Sequence, residues 1–196
     1  ADGGSHQAIE DISLMRTLPN MTVINPADAK EAEAAVLAAI DYQGPVYIRL
    51  GRAETKDIHD DSYHFEWGKA EVLRQGSDVS IFATGIMTAK ALDAAETLAK
   101  QGIQAEVINV HTIKPLDEET VIASAKKTGK VVTAEEHSII GGLGSAVAEV
   151  LARQCPTKQA FVGVQDSFGE SGSPDDLLEK YGLTAEVIVK AAVGLQ

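Results

Sequence analysis

Apolar positions along the chain change period from segment to segment, and the changes mark the elements. Strand-like MTVI (residues 21–24) leads into Asn25-Pro26. Ala32, Ala35, Val36, Ala39 and Ile40 then recur at helical spacing, which predicts a helix over 26–41. Asp28 and Glu31 set acids in its first turn, where the helix dipole favours them, and Gly44-Pro45 ends the element. VYIRL (46–50) reads as a buried strand. Residues 51–66, with the polar run KDIHDDSYH, show no period and read as a solvated connection.

From Trp67 onward the alternation is regular. DVSIFAT (78–84), AEVINV (105–110), KVVTAEE (130–136) and AFVGV (160–164) read as strands. Helices are predicted from Ile86 to Gln101, from Asp117 to Lys127 and after the GGLG of 141–144. A short helix starts at Ser173-Pro174 and ends near Gly182, and Thr184 caps a terminal one. Asp117 is a predicted N-cap, and Gly102 and Gly129 are predicted left-handed caps. Strands separated by helices imply parallel pairing with crossover connections. The expected fold is therefore α/β: a mostly parallel five-stranded sheet flanked by helices over 67–196. Residues 1–66 offer only two strands and two helices, so 1–50 reads as an incomplete α/β unit with 51–66 as the linker.

Composition narrows the function classes. The 196 residues suffice for one ordinary core, or one domain and part of another. Twenty-nine acids against 17 bases give a formal charge of −12, which disfavours nucleic acid and anionic membranes as partners. An anionic substrate therefore needs locally placed arginines. The single cysteine, Cys155, excludes an intramolecular disulfide and a cysteine metal cluster. No signal peptide or long apolar run is present, so the cytoplasm is the expected location.

Candidate chemistry is concentrated near the start. Asp2 and His6 flank a Gly-Gly-Ser turn that can aim both side chains at one substrate. The same spacing also suits an Asp2 that caps a helix starting near Ala8, with His6 merely solvated. Arg49 and Arg52 close the strand VYIRL, the end at which open α/β sheets place ligands, and guanidinium groups grip phosphate in two-pronged fashion. Pairing with nearby acids is the alternative. Gly141, Gly142 and Gly144 fit neither a dinucleotide fingerprint nor a P-loop, so close helix packing is expected there. Glu135, Glu136 and His137 end a strand and face either solvent, an interface or a site. His59, Asp60, Asp61 and His64 have ligand-type chemistry without fixed geometry, and no metal site is expected. His111 reads as structural, and Met15, Met21 and Met87 as gap-filling core.

The stretch DGGSHQAIEDISLMRTLPNMTVINPADAKEAEAAV, followed by GPVYIRLGR, resembles the second half of the pyrimidine-binding domain of transketolases, especially the C-terminal subunit of split transketolases. INVHTIKPLD, VVTAEEHSIIGGLGSAVAEVL and GVQDSFGESGSPDDLLEKYGLTAEVIVKAA resemble the transketolase C-terminal domain. The resemblance implies catalytic roles for His6, near the ketose carbonyl and hydroxyls, and for Asp2, on the donor hydroxyl. It implies that Arg52 binds the sugar phosphate with Arg49 as a helper. Gly4 stands where many family members have proline, which loosens the turn and keeps the register.

The same resemblance implies that this chain begins part-way through its first domain. The family's activating glutamate lies upstream of the opening motif, and its Gly-Asp-Gly diphosphate and metal motif is absent from this sequence. The expected complete enzyme transfers a two-carbon ketol unit between phosphorylated sugars, using thiamine diphosphate with a divalent metal such as magnesium. No residue of this chain is assigned to the cofactor, and the chain alone is expected to bind none and to be inactive. The implied partners are an N-terminal thiamine-diphosphate-binding subunit or domain and a second copy of the complete unit. Alternatives are a non-catalytic assembly module, or the matching part of deoxyxylulose-phosphate synthase or of a 2-oxo acid dehydrogenase beta subunit.

Overall fold

The computed structural model describes residues 4–52 and 54–196, so Asp2 lies outside the described residues. The larger sheet has five strands: β3 (Glu71–Arg74), β4 (Val79–Ala83), β5 (Ala105–Asn109), β7 (Lys130–Ser138) and β8 (Lys158–Val164), in the order β3-β5-β4-β7-β8. β5, β4, β7 and β8 pair in parallel, and β3 is an antiparallel edge strand. The four parallel strands are those legible in the sequence. β3 is not, because its four residues are mostly half-buried and carry no clean alternation.

Helices cover both faces. Val79, Ile81 and Ala83 of β4 point into a core with Met87, Ala91, Ala94 and Leu98 of α3 (Met87–Lys100) and Ile188 and Ala192 of α7 (Ala185–Val193). Phe82, between them in sequence, points the other way, into a core with Val121 and Ala125 of α4 (Glu118–Thr128) and Val147 and Leu151 of α5 (Leu143–Gln154). A strand buried on both faces therefore lacks alternation in its sequence. Complete burial of a side chain such as Phe82 stabilises the sheet by roughly 2–3 kcal/mol. The buried Ser80 hydroxyl, on the same face as Phe82, bonds to those of Ser124 at 2.6 Å and Thr128 at 2.7 Å, which satisfies its polarity.

The smaller sheet has the order β2-β1-β6. β1 (Thr22–Ile24) runs parallel to β2 (Val46–Ile48), while β6 (Thr112–Lys114) arrives from beyond β5 and pairs antiparallel with β1. The polypeptide after residue 66 thus completes the sheet begun before residue 51. β6 carries a single apolar residue, Ile113, between Thr112 and Lys114, so it is not legible in the sequence. Ile12 of α1 (Asp11–Thr17), Val23, Ile113 and Ala146 form the core beneath this sheet.

Most predicted helix ends hold to within a few residues. The helix expected over 26–41 is α2 (Ala29–Ile40), with the Asp28 carboxylate as its N-cap, accepting from Glu31 N at 2.9 Å. Asp117 caps α4, Thr184 caps α7, and Ser173 caps α6 (Pro174–Lys180). Gly129 ends α4 at φ 69°, a left-handed conformation that favours glycine. The first helix starts at Asp11 rather than near Ala8. The connection over 51–66 has no strand or helix among its described residues, but its reading as wholly solvated is corrected. His59 is buried. Among the described residues no helix is long and apolar enough to cross a membrane.

Candidate functional site

The carboxyl ends of parallel strands converge where the two sheets meet. Asn25 follows β1, Arg49 follows β2, Gly85 and Ile86 follow β4, and Glu136 lies near the end of β7. Asn25, Arg49, Ile86 and Glu136, together with Leu50, line a cleft of about 480 Å³. Crevices outside strand carboxyl ends are where open α/β sheets bind ligands.

Arg49 organises this region. Its Nε donates to Asp11 at 3.1 Å and its Nη1 to Glu136 at 3.1 Å. Nη2 donates to the carbonyls of Ala8 at 2.7 Å and Glu136 at 3.0 Å. The guanidinium is thus committed to two carboxylates and two carbonyls, and its side chain is only 13% exposed. Tyr47 donates to the same Asp11 carboxylate at 2.7 Å, and its phenol is pushed up to about 12 by burial and by that carboxylate. Sequence separation hides these contacts: Asp11 and Glu136 lie 38 and 87 positions from Arg49. Arg52 is exposed in the bend after β2.

His6 sits on a three-residue 3₁₀ turn (Gly4–His6) and is exposed, with Ser5 Oγ 3.0 Å from its Nδ1. The chain that follows is pinned from two sides, because Arg49 holds the Ala8 carbonyl and Ser138 N donates to the Ile9 carbonyl at 2.8 Å. His6 and the strand-end arginine therefore belong to one connected region.

The strand end Glu135–His137 splits into different roles. Glu136 pairs with Arg49, whereas Glu135 is buried under α5 and accepts from Leu143 N at 2.6 Å and Gly144 N at 2.8 Å. Burial raises the Glu135 carboxyl to about 7 against the opposing pull of those amides. Gly142 and Gly144 make this approach possible: a Cβ at Gly142 would fall on the Glu135 carboxylate, and one at Gly144 on Phe161 and Thr133. The glycine run is thus a packing device. His137 is also buried; its Nδ1 donates to Ser138 O at 2.7 Å, its Nε2 accepts from Ser13 N, and burial lowers its pKa. His111 is buried against Phe65 and bonds to Thr112.

A second polar cluster ties the connection down. Asp28 Oδ2 accepts from the backbone N of Ile58 and His59, each at 2.7 Å, and from His59 Nδ1 at 3.0 Å. His59 Nε2 donates to Glu71 at 2.9 Å. Burial opposes the imidazolium, but bonds to Glu71 and Asp28 outweigh it and raise its pKa to about 9. Glu31, fully buried, accepts from Ala27 N, Tyr63 Oη and Asn109 Nδ2. Donor atoms of Glu31, His59 and Glu71 lie within 4.8 Å of one another, close enough for a metal, yet these side chains are already engaged in hydrogen bonds. The cluster is a strut.

The cleft does not fit an anionic diphosphate. Asp28, Glu54, Asp57 and Glu136 line it against Arg49 alone, and Arg49 is already engaged. Asn25 Nδ2 is buried there without a hydrogen-bond partner among the described residues, a single neutral donor. Gly85, at φ 57°, lets the chain pass that amide, since a Cβ would lie 2.7 Å from Nδ2.

A parallel α/β sheet, joined through β6 to a partial second sheet and carrying its polar cleft at strand ends, defines a two-part α/β protein. The chain belongs to the transketolase family: residues 1–57 match the transketolase pyrimidine binding domain and residues 68–188 the transketolase C-terminal domain. It is 56% identical over 191 residues to the 6-deoxy-6-sulfo-D-fructose transketolase subunit SqwH of Clostridium sp. (strain MSTE9), covering 97% of this chain and 59% of that protein. It is 38% identical over 192 residues to an apulose-4-phosphate transketolase subunit of Phocaeicola vulgatus, covering 97% of this chain and 61% of that protein. A solved split gene transketolase, described as an inactive beta4 tetramer, superposes with a TM-score of 0.95 at 55% identity, covering 98% of this chain and 63% of that one. The chain thus spans about three fifths of these relatives. Members of the family use thiamine diphosphate with a divalent metal.

Proposed function

We propose that this chain is the C-terminal part of a split transketolase, which moves a two-carbon ketol unit between sugars once joined to an N-terminal thiamine-diphosphate-binding subunit. The supporting observation is the likeness to the split gene transketolase over nearly the whole chain, with the segment that follows His6 tied to Arg49 through the Ala8 carbonyl. In this reading the chain divides into a pyrimidine-binding remnant (1–50), a connection (51–66) and a C-terminal domain (67–196), and the complete unit pairs with a second copy in the cytoplasm. Cofactor and metal ligands come from the partner, because the cleft offers a diphosphate one arginine that is already engaged, while the exposed Glu54 and Asp57 oppose an anion.

The chain's own contribution is recognition and proton handling. His6, exposed on its turn, exchanges a proton with a substrate hydroxyl or carbonyl oxygen. Asp2 contacts the donor hydroxyl. Arg52 binds the terminal anion of the sugar, and a guanidinium suits phosphate and sulfonate alike. Arg49, with its donors engaged, positions the turn and lends charge rather than a direct contact. Alone, the chain neither binds the cofactor tightly nor turns over.

Reconstitution with the N-terminal subunit, followed by a ketol-transfer assay on phosphorylated and sulfonated ketoses, tests this. Transfer by the complex and none by the chain alone is expected. Turnover by the chain alone, or a complex inert on every ketose, would overturn the reading.

A further inference from the structure

The turn that carries His6 has little to hold itself in place. Its three residues, Gly4 to His6, include none that is buried, and a 3₁₀ turn this short has almost no internal support. Something outside the turn must set where the imidazole stands.

The loop between β8 and α6 lies against it. Gln7 Nε2 donates to the Glu170 carbonyl at 2.9 Å, across a sequence separation of 163 positions. Gly4 and Gly169 meet backbone to backbone: a Cβ built on Gly4 would lie 2.6 Å from Gly169 O. A Cβ on Gly169 would collide with Gln7 Oε1 and come within 3.5 Å of Gly4 Cα. Neither glycine is required here by a left-handed φ; the requirement is close approach.

The far side of the loop is moored to α6 and the residue after it. Tyr181 Oη donates to Phe168 O at 3.0 Å, Lys180 pairs with Glu170 at 2.6 Å, and Leu177 packs against Gly172. Ser173 closes the loop by capping α6. A path of direct contacts therefore runs from α6, through Phe168–Glu170, to Gln7 and the turn.

We infer that Gln7 and Gly169 are positioning residues, forming a latch by which the loop after β8 sets the His6 imidazole for proton transfer. The catalytic consequence rests on the transketolase reading above; the mechanical part does not. Reacting groups must be held to within fractions of an ångström, and a misplacement of about 1 Å costs on the order of 10²-fold in rate. A latch acting through His6 lowers turnover without touching the anion contact at Arg52.

The test uses the reconstituted complex with two variants. Gly169→Ala inserts a methyl group between Gln7 and Gly4, and Gln7→Ala removes the hydrogen bond without a clash. Both should accelerate amide hydrogen exchange at residues 4–8 and shift the His6 ring resonances, with an unchanged melting temperature. Both should lower kcat about 10- to 100-fold while leaving KM for the anionic sugar within about twofold. Unchanged exchange and ring resonances in the folded Gln7→Ala protein would overturn the latch. Loosened exchange with undiminished kcat would overturn its catalytic role. An unmodified complex without ketol transfer would instead overturn the transketolase reading and leave the exchange result to judge the mechanics.

Discussion

Arg49 Nη1 and Glu136 Oε2 meet at 3.1 Å, joining the end of the small sheet to the end of the large one. The same guanidinium reaches Asp11 and the Ala8 carbonyl, so one side chain ties β2, β7, α1 and the segment that follows His6. Replacing Arg49 by methionine leaves Asp11, only 11% exposed, without its cation. Breaking a buried pair in this way costs about 3 kcal/mol. Denaturant unfolding should show a lower midpoint at unchanged m-value, and Arg49→Lys should recover only part of the loss, because an ammonium cannot span the same set of acceptors.

Arg52→Ala provides the contrast. Arg52 is exposed in the bend after β2, so its loss should move the unfolding midpoint little. In the reconstituted complex it should raise KM for an anionic ketose by about tenfold or more while sparing kcat, the pattern of an interaction made equally in ground and transition states. A kcat effect without a KM effect would remove the anion-binding role.

How much of this is legible in the sequence depends on whether the information is local. β4, β5, β7 and β8 are each built round a short apolar stretch, such as Ile81–Ala83 and Val131–Val132, and Asp117, Ser173 and Thr184 each cap a helix by accepting from the backbone N three residues ahead, so local pattern suffices. β3 and β6 carry too few apolar residues to stand out and are formed on the edges that β5 and β1 offer them. Arg49 and Arg52 look alike in the sequence, three residues apart. Only the fold shows that Arg49 is committed to Asp11 and Glu136. His59 sits in a polar run that reads as solvated, but Asp28 and Glu71 enclose it from elements that local reading cannot bring together.

His59 makes stability depend on alkaline pH. Its folded pKa is about 9, above the ordinary 6.5, so the folded state holds its proton more tightly than the unfolded chain. The contribution is complete below about pH 6.5 and fades as pH rises through 9, amounting to up to about 3 kcal/mol. His59→Gln should be less stable at pH 6 and lose less stability than the unmodified chain between pH 7 and 10. Parallel pH profiles for the two proteins would contradict the strut.

Glu135 predicts a second dependence of the same sign in a lower window. Burial lifts its carboxyl to about 7 from 4.5, so the folded chain again binds the proton more tightly. Its contribution is complete below about pH 4.5 and is lost as pH rises through 7. Carboxyl resonances should show a group titrating near 7, and Glu135→Gln should remove that step from the stability profile. A carboxyl at Glu135 already ionised at pH 5 would mean that the Leu143 and Gly144 amides outweigh burial.

His6 carries the chemical prediction. It is exposed, it ends a turn of three residues, and its side chain bonds to the adjacent Ser5 hydroxyl, so His6→Ala should scarcely alter folding. A proton-transfer group contributes about 10²- to 10⁴-fold to rate, and the loss should fall on kcat rather than on KM. The pH profile separates this from a purely steric role. If the imidazole exchanges the proton, the limb of the kcat profile that belongs to it disappears in His6→Ala, whereas a positioning role lowers the whole profile and keeps its shape. His6→Asn, which preserves a hydrogen-bonding group but cannot titrate, should then resemble His6→Ala. Recovery of most activity by His6→Asn would assign His6 to binding the substrate oxygen rather than to moving its proton.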